Sequence, residues 1–369
     1  MELVLDEAQT ILRESADKLV ERHAGPARFR ELRTTEHGFD RARLVEVAEA
    51  GWLSLLVPEE RDGLGLGTTE AALVLEAAGR GLMTEPVAAV MAAARAVASG
   101  PETMGAALEE LTTGRSVVVP ALHDPAAEDP EGTRVQAVAE DGGFRLTGQI
   151  GAVPGAAAAD GFIVGARSGD GTVVCLVPRD AGGLEVVQRG RVDGTGHAAL
   201  TLADVGIAPD AVIAQGARGT EVATATLDLV LLGTSAEMLG IMEQGLALAV
   251  DYLGTREQFG RLIGSFQALQ HRAVNDHIDI ELTRSLLYQV CAAMDEGRGN
   301  RAMVAAVQAR ASDAALSVTK SMVQMHGAIG FTDEYDASLY LRRAMSLSAQ
   351  YGNAAAHRKR YARLSSRAA

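Results

Sequence analysis

Cysteine is scarce in this chain of 369 residues. Cys175 and Cys291 are its only cysteines and stand far apart, which excludes a disulfide framework and a zinc site built from thiolates. Neither has a basic residue beside it, so we expect both to pack in the core rather than act as nucleophiles. The N-terminus lacks the basic and apolar regions of a signal peptide, and these features together favour a cytoplasmic protein.

Positive charge is also scarce. The 34 basic and 48 acidic side chains give a formal net charge of -14, which would repel nucleic acid and anionic membranes. No segment is apolar over about 18 uninterrupted residues, so we expect no membrane-spanning helix. A hydrophobic share of 47% supports a large core and excludes a disordered or fibrous chain.

Several catalytic patterns are missing from the sequence. It has no Gly-x-Ser-x-Gly, the turn of many serine hydrolases, and no Gly-x-Gly-x-x-Gly between a strand and a helix, as in Rossmann dehydrogenases. Its histidines form no pair at helical spacing with a carboxylate between them, since His271 and His277 fall on different faces of one helix. We therefore expect no metal site.

Hydrophobic patterning divides the chain into three domains. Helical periodicity, as in Leu12, Ala16 and Leu19, predicts an N-terminal α-helical domain over residues 1–115. Short β-rich runs separated by Gly and Asp predict a middle β-barrel or sandwich domain over residues 116–216. Long apolar helices predict a C-terminal four-helix bundle over residues 217–369.

The C-terminal domain has a large apolar helical surface. The segment 227–253 is apolar nearly all round, which predicts a helix buried inside the bundle. A second helix is predicted by apolar residues at four-residue spacing, and we expect the bundle to bury this stripe, which comprises Val274, Ile278, Leu282, Leu286 and Val290. So much apolar surface also indicates that both helices take part in subunit packing.

Two polar segments interrupt these helices. The first, residues 252–267, places Arg256 near amides and glycines where two helices join, and a guanidinium with free backbone N–H groups suits phosphate. From residue chemistry alone, a helix-capping turn with a solvated arginine explains this segment equally well. The second, residues 324–335, ends a helix at Gly327 and Gly330, as ordinary helix termination also would.

Together these two segments resemble the acyl-CoA dehydrogenase family, whose chains run helical domain, β domain, helical domain. Further matches are Gly51-Trp52 with Val57-Pro58-Glu59-Glu60 in the first domain, and Glu334-Tyr335 before Arg342 in the last. The resemblance covers nearly the whole chain and implies an FAD site shared between subunits. In that site this chain would hold the pyrophosphate and adenosine end through Arg256, Gln258, Phe259, Gln267, Gln324, His326 and Gly327.

The same resemblance implies that the half of the site for the flavin ring is degraded. The family's glycine-rich loop corresponds to residues 123–129, which contain no glycine, and the tryptophan expected near residues 148–154 is absent because Trp52 is the only one. The catalytic glutamate of the family corresponds to Tyr351 or, in other members, to Val230. A phenol, with an ordinary pKa of about 10, is a poor base at neutral pH.

Three functions are compatible with these residues. The favoured one is a subunit of a heteromeric acyl-CoA dehydrogenase that lacks the base and completes the FAD site of a catalytic partner subunit. It would be similar to actinobacterial two-gene enzymes that act on steroid side-chain CoA thioesters. The resemblance then implies an α2β2 heterotetramer that oxidises an acyl-CoA and passes electrons to an electron-transfer flavoprotein.

The alternatives keep the fold and change the chemistry. A self-sufficient dehydrogenase would need an unconventional base, such as Glu237, Glu243 or Asp228. The third possibility is a flavin-free scaffold of the same fold.

Overall fold

A computed structural model describes residues 5–35, 37–122, 132–169 and 171–366, in which helices precede and follow a run of strands. The first helices are α1 (Glu7–His23), α2 (Pro26–Leu32), α3 (Arg41–Glu49), α4 (Thr68–Arg80), α5 (Val87–Ala98) and α6 (Gly105–Thr112). The strands are β1 (Val118–Ala121), β2 (Gln136–Glu140), β3 (Gly143–Pro154), β4 (Gly161–Ser168), β5 (Gly171–Pro178), β6 (Leu184–Gly190), β7 (Gly196–Ile207) and β8 (Val212–Ala214).

The last part of the chain is helical again. Its elements are α7 (Gly216–Thr255), β9 (Glu257–Gln258), β10 (Arg261–Leu262), α8 (Gln267–Asp295), α9 (Arg301–His326), α10 (Ala337–Ala349) and α11 (Ala354–Ser366). The predicted fold class, with helices on either side of a central sheet in the chain order, is confirmed.

One compact unit, here called the helical unit, comprises Met1–Glu31, Ala72–Met83 and Leu232–Ala369. In it α9 packs against α8, α10 and α11, and its buried face carries small residues such as Ala311 and Ala315 that allow close helix packing. Helix starts are defined by side-chain caps. Asp6 accepts a hydrogen bond from the Gln9 N–H at 2.8 Å, and Asn300 accepts one from the Met303 N–H at 3.1 Å.

Two glycines bring α4 and α7 into backbone contact within the helical unit. A Cβ atom on Gly79 would lie 2.1 Å from the Glu237 carbonyl oxygen, and one on Gly240 would lie 1.9 Å from the Glu76 carbonyl oxygen. Both distances are far inside van der Waals contact, so any side chain at either position would separate the helices. The close approach places the side chains of Glu76 and Arg80 next to α7.

The second compact unit, here called the sheet unit, comprises Leu32–Ala71 and Thr84–Leu231. Its strands pair in the order β6-β7-β3-β2-β4-β5-β8, and β1 also pairs with β4. The pairings are antiparallel except β1 with β4 and β2 with β4. The alanine- and valine-rich α5 is buried along almost its whole length and packs against β1 and α6.

The predicted burial of the apolar segment 227–253 is confirmed for residues 230–242, whereas Val250 near its end is 52% exposed. The helix that contains it, α7, has 40 residues and a stretch with a mean hydropathy of 1.4, which would suit a membrane span by length and composition. However, 83% of that stretch is buried inside the protein, as in the core helix of a globular fold. Both cysteines are buried as well, and burial raises the pKa of the Cys175 thiol to about 12.

The expectation that the bundle buries the whole stripe on α8 is wrong. Val274, Ile278 and Leu282 are 56%, 48% and 55% exposed, whereas Val290 is buried. The face of α8 that the unit buries carries instead Asp276, Ile280, Thr283 and Leu287. A four-residue spacing drifts round a helix that has 3.6 residues per turn, so the two ends of the stripe point in different directions.

Candidate functional site

The first predicted segment folds as a short hairpin between α7 and α8. The Arg256 N–H donates to the Tyr252 carbonyl at 2.9 Å, and the Arg256 carbonyl accepts from the Ile263 N–H at 2.8 Å. Strands β9 and β10 are joined by Phe259 and Gly260, whose φ angles are 53° and 75°. Glycine is strongly favoured in a two-residue hairpin turn whose residues both have positive φ angles. This preference explains Gly260, the second residue of the turn.

This hairpin presents polar and aromatic side chains outward. Arg256, Gln258 and Gln267 are all exposed, and the Phe259 ring is 92% exposed. The guanidinium of Arg261 lies 4.0 Å from the centroid of the Phe266 ring, which is a cation–π contact. An exposed arginine with amide donors around it matches the chemistry that binds phosphate oxygens.

The second predicted segment follows directly from the end of α9. Gln324 and Gly327 are exposed, and Gly327 has a φ of 67° with no atom within 4 Å of the position where a Cβ would stand. The backbone is therefore open to close approach at this residue. Gly330 is different, because a Cβ there would lie 2.7 Å from the His326 Cβ.

The two segments meet through three rings. The Tyr252 ring lies 4.7 Å from the His326 ring, and the His326 ring lies 4.7 Å from the Tyr335 ring, measured between centroids. Two segments that are about seventy residues apart in sequence therefore form one surface of the helical unit.

The predicted role of His326 as a cofactor contact does not fit its position. The side chain is buried, its Nδ1 lies 2.8 Å from the Met322 carbonyl oxygen, and its Nε2 lies 3.1 Å from the Tyr335 hydroxyl. A carbonyl only accepts, so Nδ1 carries the proton and Nε2 accepts from the phenol. Burial lowers the pKa of His326, which favours this neutral form. Both ring nitrogens are thus used inside the protein.

Carboxylates are absent from both positions that correspond to the family's base. Tyr351 is 8% exposed and has a φ of 58°, and Val230 is 1% exposed. Of the unconventional candidates, Glu237 is buried and its carboxylate accepts from the Arg343 guanidinium at 2.9 Å. Asp228 is also buried. Residues 123–129, interpreted as a degraded flavin loop, lie outside the described residues.

Glu243, the remaining candidate, belongs to a cluster that sequence reasoning missed. This ion network comprises Asp17, Glu76, Arg80, Glu243, Arg284 and Tyr288, all in the helical unit; Glu76 and Tyr288 are buried and the other four are partly exposed. Arg80 donates to Glu243 at 2.7 Å and to Asp17 at 2.6 Å, while Arg284 donates to Glu76 at 2.8 Å and also to Glu243. The Tyr288 hydroxyl donates to Glu76 at 2.6 Å.

The two glutamates of this network ionise differently. Burial, with a further contribution from the charge of Glu243, raises the pKa of Glu76. Burial also opposes ionisation of Glu243, but the charges of Arg284 and Arg80 outweigh it and lower the pKa of that carboxyl. A carboxylate held by two arginines is a weak proton acceptor. The sequence signal for the network was the pair Glu76 and Arg80, four residues apart in the part of α4 that is otherwise apolar, residues 71–80.

Two stretches of the chain match models of one protein family. Residues 6–112 match the model for the acyl-CoA dehydrogenase N-terminal domain, and residues 217–365 match that for the acyl-CoA dehydrogenase C-terminal domain. The chain is 31% identical over 379 residues to acyl-CoA dehydrogenase FadE27 of Mycobacterium tuberculosis, with 98% of each chain covered. It is 29% identical to acyl-CoA dehydrogenase IpdE2 of the same organism, with 92% and 91% covered.

Two solved structures are similar over their full length. One is the ChsE4-ChsE5 complex from Mycobacterium tuberculosis, with a TM-score of 0.91, 30% identity and 98% of each chain covered. The other is a variant of the Tcur3481-Tcur3483 steroid acyl-CoA dehydrogenase, with a TM-score of 0.91, 29% identity and 98% of each chain covered.

Proposed function

Because the chain belongs to the acyl-CoA dehydrogenase family of flavoprotein oxidoreductases, we propose that it is the non-catalytic subunit of a heteromeric enzyme. In this role it completes the FAD site of a catalytic partner subunit. The observation that carries the proposal is a contrast within the chain. The exposed surface around Arg256, Gln258 and Gln324 keeps phosphate-binding chemistry, whereas Tyr351 and Val230 fill both base positions without a carboxylate.

The residues present fit the pyrophosphate and adenosine end of FAD. Arg256 would pair with phosphate oxygens, Gln258, Gln267 and Gln324 would donate amide hydrogen bonds, and Phe259 would offer a ring face. The open backbone at Gly327 would let the cofactor approach the chain closely. When bound, FAD accepts the hydride that leaves the β-carbon of the acyl-CoA.

His326 has a positioning role in this proposal. It accepts from Tyr335 and donates to Met322, and its ring packs on Tyr252, so it joins the last turn of α7 to the end of α9. The distance between Arg256 and Gln324 is thereby restricted before any cofactor binds. Pre-organisation of this kind lowers the entropic cost of binding.

A self-sufficient dehydrogenase is the weaker proposal. It would need a carboxylate free to take the α-proton, but Glu237 is paired with Arg343, and Glu243 is held by Arg80 and Arg284. The substrate class follows only from the relatives. One similar structure is named a steroid enzyme, and on that basis we propose a steroid side-chain CoA thioester as substrate of the complex.

The first test is activity. The chain purified alone should show negligible acyl-CoA dehydrogenation, because loss of a general base costs about 10²–10⁴-fold in rate. Co-expression with a neighbouring dehydrogenase gene should give a complex that contains FAD and turns over. Turnover at ordinary flavoenzyme rates by the isolated chain would instead support a self-sufficient enzyme.

The second test is Arg256→Ala in the co-expressed complex. A hydrogen bond to a charged group contributes about 1.5–3 kcal/mol, so the FAD dissociation constant should rise by roughly 10- to 150-fold. Arg256→Lys should restore only part of the affinity, because an ammonium cannot form the bidentate contact. Arg115→Ala, which removes another exposed arginine, is the control. Unchanged FAD affinity in Arg256→Ala would show that this chain does not complete the site.

A further inference from the structure

The chain between α9 and α10, residues 327–336, is here called the link segment. Its residues 331–334 are all exposed, so their side chains do not anchor it in the core. The Thr332 N–H and hydroxyl donate to the Ile329 carbonyl at 3.1 Å and 2.8 Å. These bonds join residues three apart and define the local turn. They do not determine where the segment lies on the helical unit.

Arg30 of α2 reaches the link segment across 303 sequence positions. Its Nε donates to the Asp333 carbonyl oxygen at 3.0 Å, and its Nη1 lies 2.8 Å from a carboxylate oxygen of Asp336. The third nitrogen, Nη2, is buried, and 26% of the side chain is exposed. The guanidinium is therefore turned towards the protein, where its fork geometry joins two points of the segment at once.

Both contacts fall at the end of the link segment. The Asp336 carbonyl accepts from the Leu339 N–H at 2.9 Å in the first turn of α10, so a contact to the Asp336 carboxylate also restricts the start of that helix. The Asp333 carboxylate accepts from Arg342 at 3.2 Å. Arg342 belongs to α10, into which the segment leads, whereas Arg30 belongs to α2 near the other end of the chain. Arg30 thus ties the segment to a separate element of the helical unit.

The restraint reaches the proposed cofactor surface through Tyr335. This residue stands between Asp333 and Asp336, and its hydroxyl donates to the His326 Nε2 at 3.1 Å. His326 is followed directly by Gly327, the open backbone position of that surface. Holding residues 333–336 in place therefore keeps the phenol on the His326 ring and the start of the link segment in its observed geometry.

We propose that Arg30 is a positioning residue for FAD binding. It acts through Asp333 and Asp336, and it keeps the conformation around Gly327 populated before the cofactor arrives. The inference rests on the proposed function, because it requires that this surface holds the pyrophosphate and adenosine end of FAD. The apparent affinity for a cofactor falls in proportion to the population of the binding-competent conformation.

FAD titration of the co-expressed complex, after removal of its flavin, tests this role. In Arg30→Met the FAD dissociation constant should rise about 3- to 10-fold, because a partly exposed ion pair and a hydrogen bond to a carbonyl are lost. The kcat at saturating FAD should equal that of the parent, since Arg30 acts on binding and not on the chemical step. Arg30→Lys should restore only part of the affinity, because an ammonium cannot reproduce the fork. Unchanged FAD affinity, or a kcat that stays low at saturating FAD, would overturn the proposal.

Hydrogen exchange of the isolated full-length chain gives a readout that needs neither FAD nor a partner. Amide hydrogens of the link segment should exchange at least about threefold faster in Arg30→Met, because local opening becomes more frequent. Peptides from the core of α9 should exchange as in the parent. Faster exchange throughout the helical unit would show that Arg30 only stabilises the fold, and an unchanged link segment would show that Arg30 does not hold it. Either result overturns the proposal.

Arg145→Met is the matched control. Arg145 makes a similar fork in the sheet unit, to the Asp204 carbonyl oxygen at 3.2 Å and to the Glu140 carboxylate. Its loss should leave both FAD affinity and exchange of the link segment unchanged, and equal effects of Arg30→Met and Arg145→Met would contradict the proposal. If Arg256→Ala weakens FAD binding and Arg30→Met does not, the positioning role is wrong and the proposed function stands. If neither substitution changes the affinity, the proposed function itself fails.

Discussion

Replacing Arg284 with methionine removes the cation that joins Glu76 to Glu243 in the ion network. Arg284 donates to Glu76 at 2.8 Å and also to Glu243, and only 24% of its side chain is exposed. Glu76 would keep Tyr288 at 2.6 Å and Arg80 at 3.1 Å. Removing one partner from a buried ion pair costs about 3–5 kcal/mol. Because Arg80 remains, we expect the lower end, about 3 kcal/mol.

Urea denaturation of the full-length chain measures this loss. Far-ultraviolet circular dichroism follows the helices, and the fluorescence of Trp52, the only tryptophan, follows the sheet unit. With a slope of about 2–3 kcal/mol per molar urea, the dichroism midpoint should fall by about 1 M or more. The urea midpoint measured by Trp52 fluorescence should fall by less, because Trp52 lies in the sheet unit and Arg284 in the helical unit.

Arg358→Met is the matched control for Arg284→Met. Arg358 is 60% exposed and pairs with Asp313, which is 48% exposed. An exposed pair contributes about 0–1 kcal/mol, so the control should lower the midpoint only slightly. The reasoning is refuted if Arg284→Met and Arg358→Met shift the dichroism transition equally.

Three further predictions follow from the structure. Burial raises the pKa of Asp276 from 3.8 to about 6. Between about pH 4 and 6 the native chain therefore holds a proton that the unfolded chain has released, and the free energy of unfolding falls as pH rises through this range. Asp276→Asn should therefore gain stability over the parent across this range in urea titrations, and a gain that shrinks with rising pH would contradict the assignment. Tyr351→Glu in the isolated chain should not create activity with an artificial electron acceptor, because a base misplaced by about 1 Å from a hydride acceptor loses most of its effect; appreciable turnover would show an intact flavin-ring site. Leu282→Asp, on the exposed stripe of α8, should dissociate the proposed heteromeric complex in native mass spectrometry, whereas Val138→Asp on β2 should not, and an unaffected assembly would place the interface elsewhere.

The order of secondary structure was accessible from the sequence because it rests on local patterns. The helix α7 is apolar on nearly every face, and a helix of that kind is stable only when other elements surround it. The same local logic failed for Val274, Ile278 and Leu282, because periodicity states that a face is apolar but does not identify what covers it. In the structure α8 packs on α9 through another face, and these three residues therefore remain exposed.

Within the candidate site, the junction of two helices was predictable, but the surroundings of each side chain were not. Arg256 and Gln258 were expected at a junction of helices and are found exposed on the hairpin. His326 was expected to contact a cofactor, but its neighbours Tyr252 and Tyr335 enclose it, and neither is close to it in sequence. The ion network depends on a glycine contact between α4 and α7, which no periodic pattern reports.

The helical unit is assembled from three stretches of chain, and this affects how the protein is made. Helix α4 leaves the ribosome long before its partners on α7 and α8, because the hydrogen bond between Arg284 and Glu76 joins residues 208 positions apart. At about 5–20 residues per second, Glu76 waits roughly 10–40 s for Arg284 to be synthesised. During that interval Leu73, Val74 and Leu75, which are buried in the finished fold, have no partner from the last stretch of the chain. The nascent chain is therefore the form in which α4 is most exposed to aggregation and to chaperones.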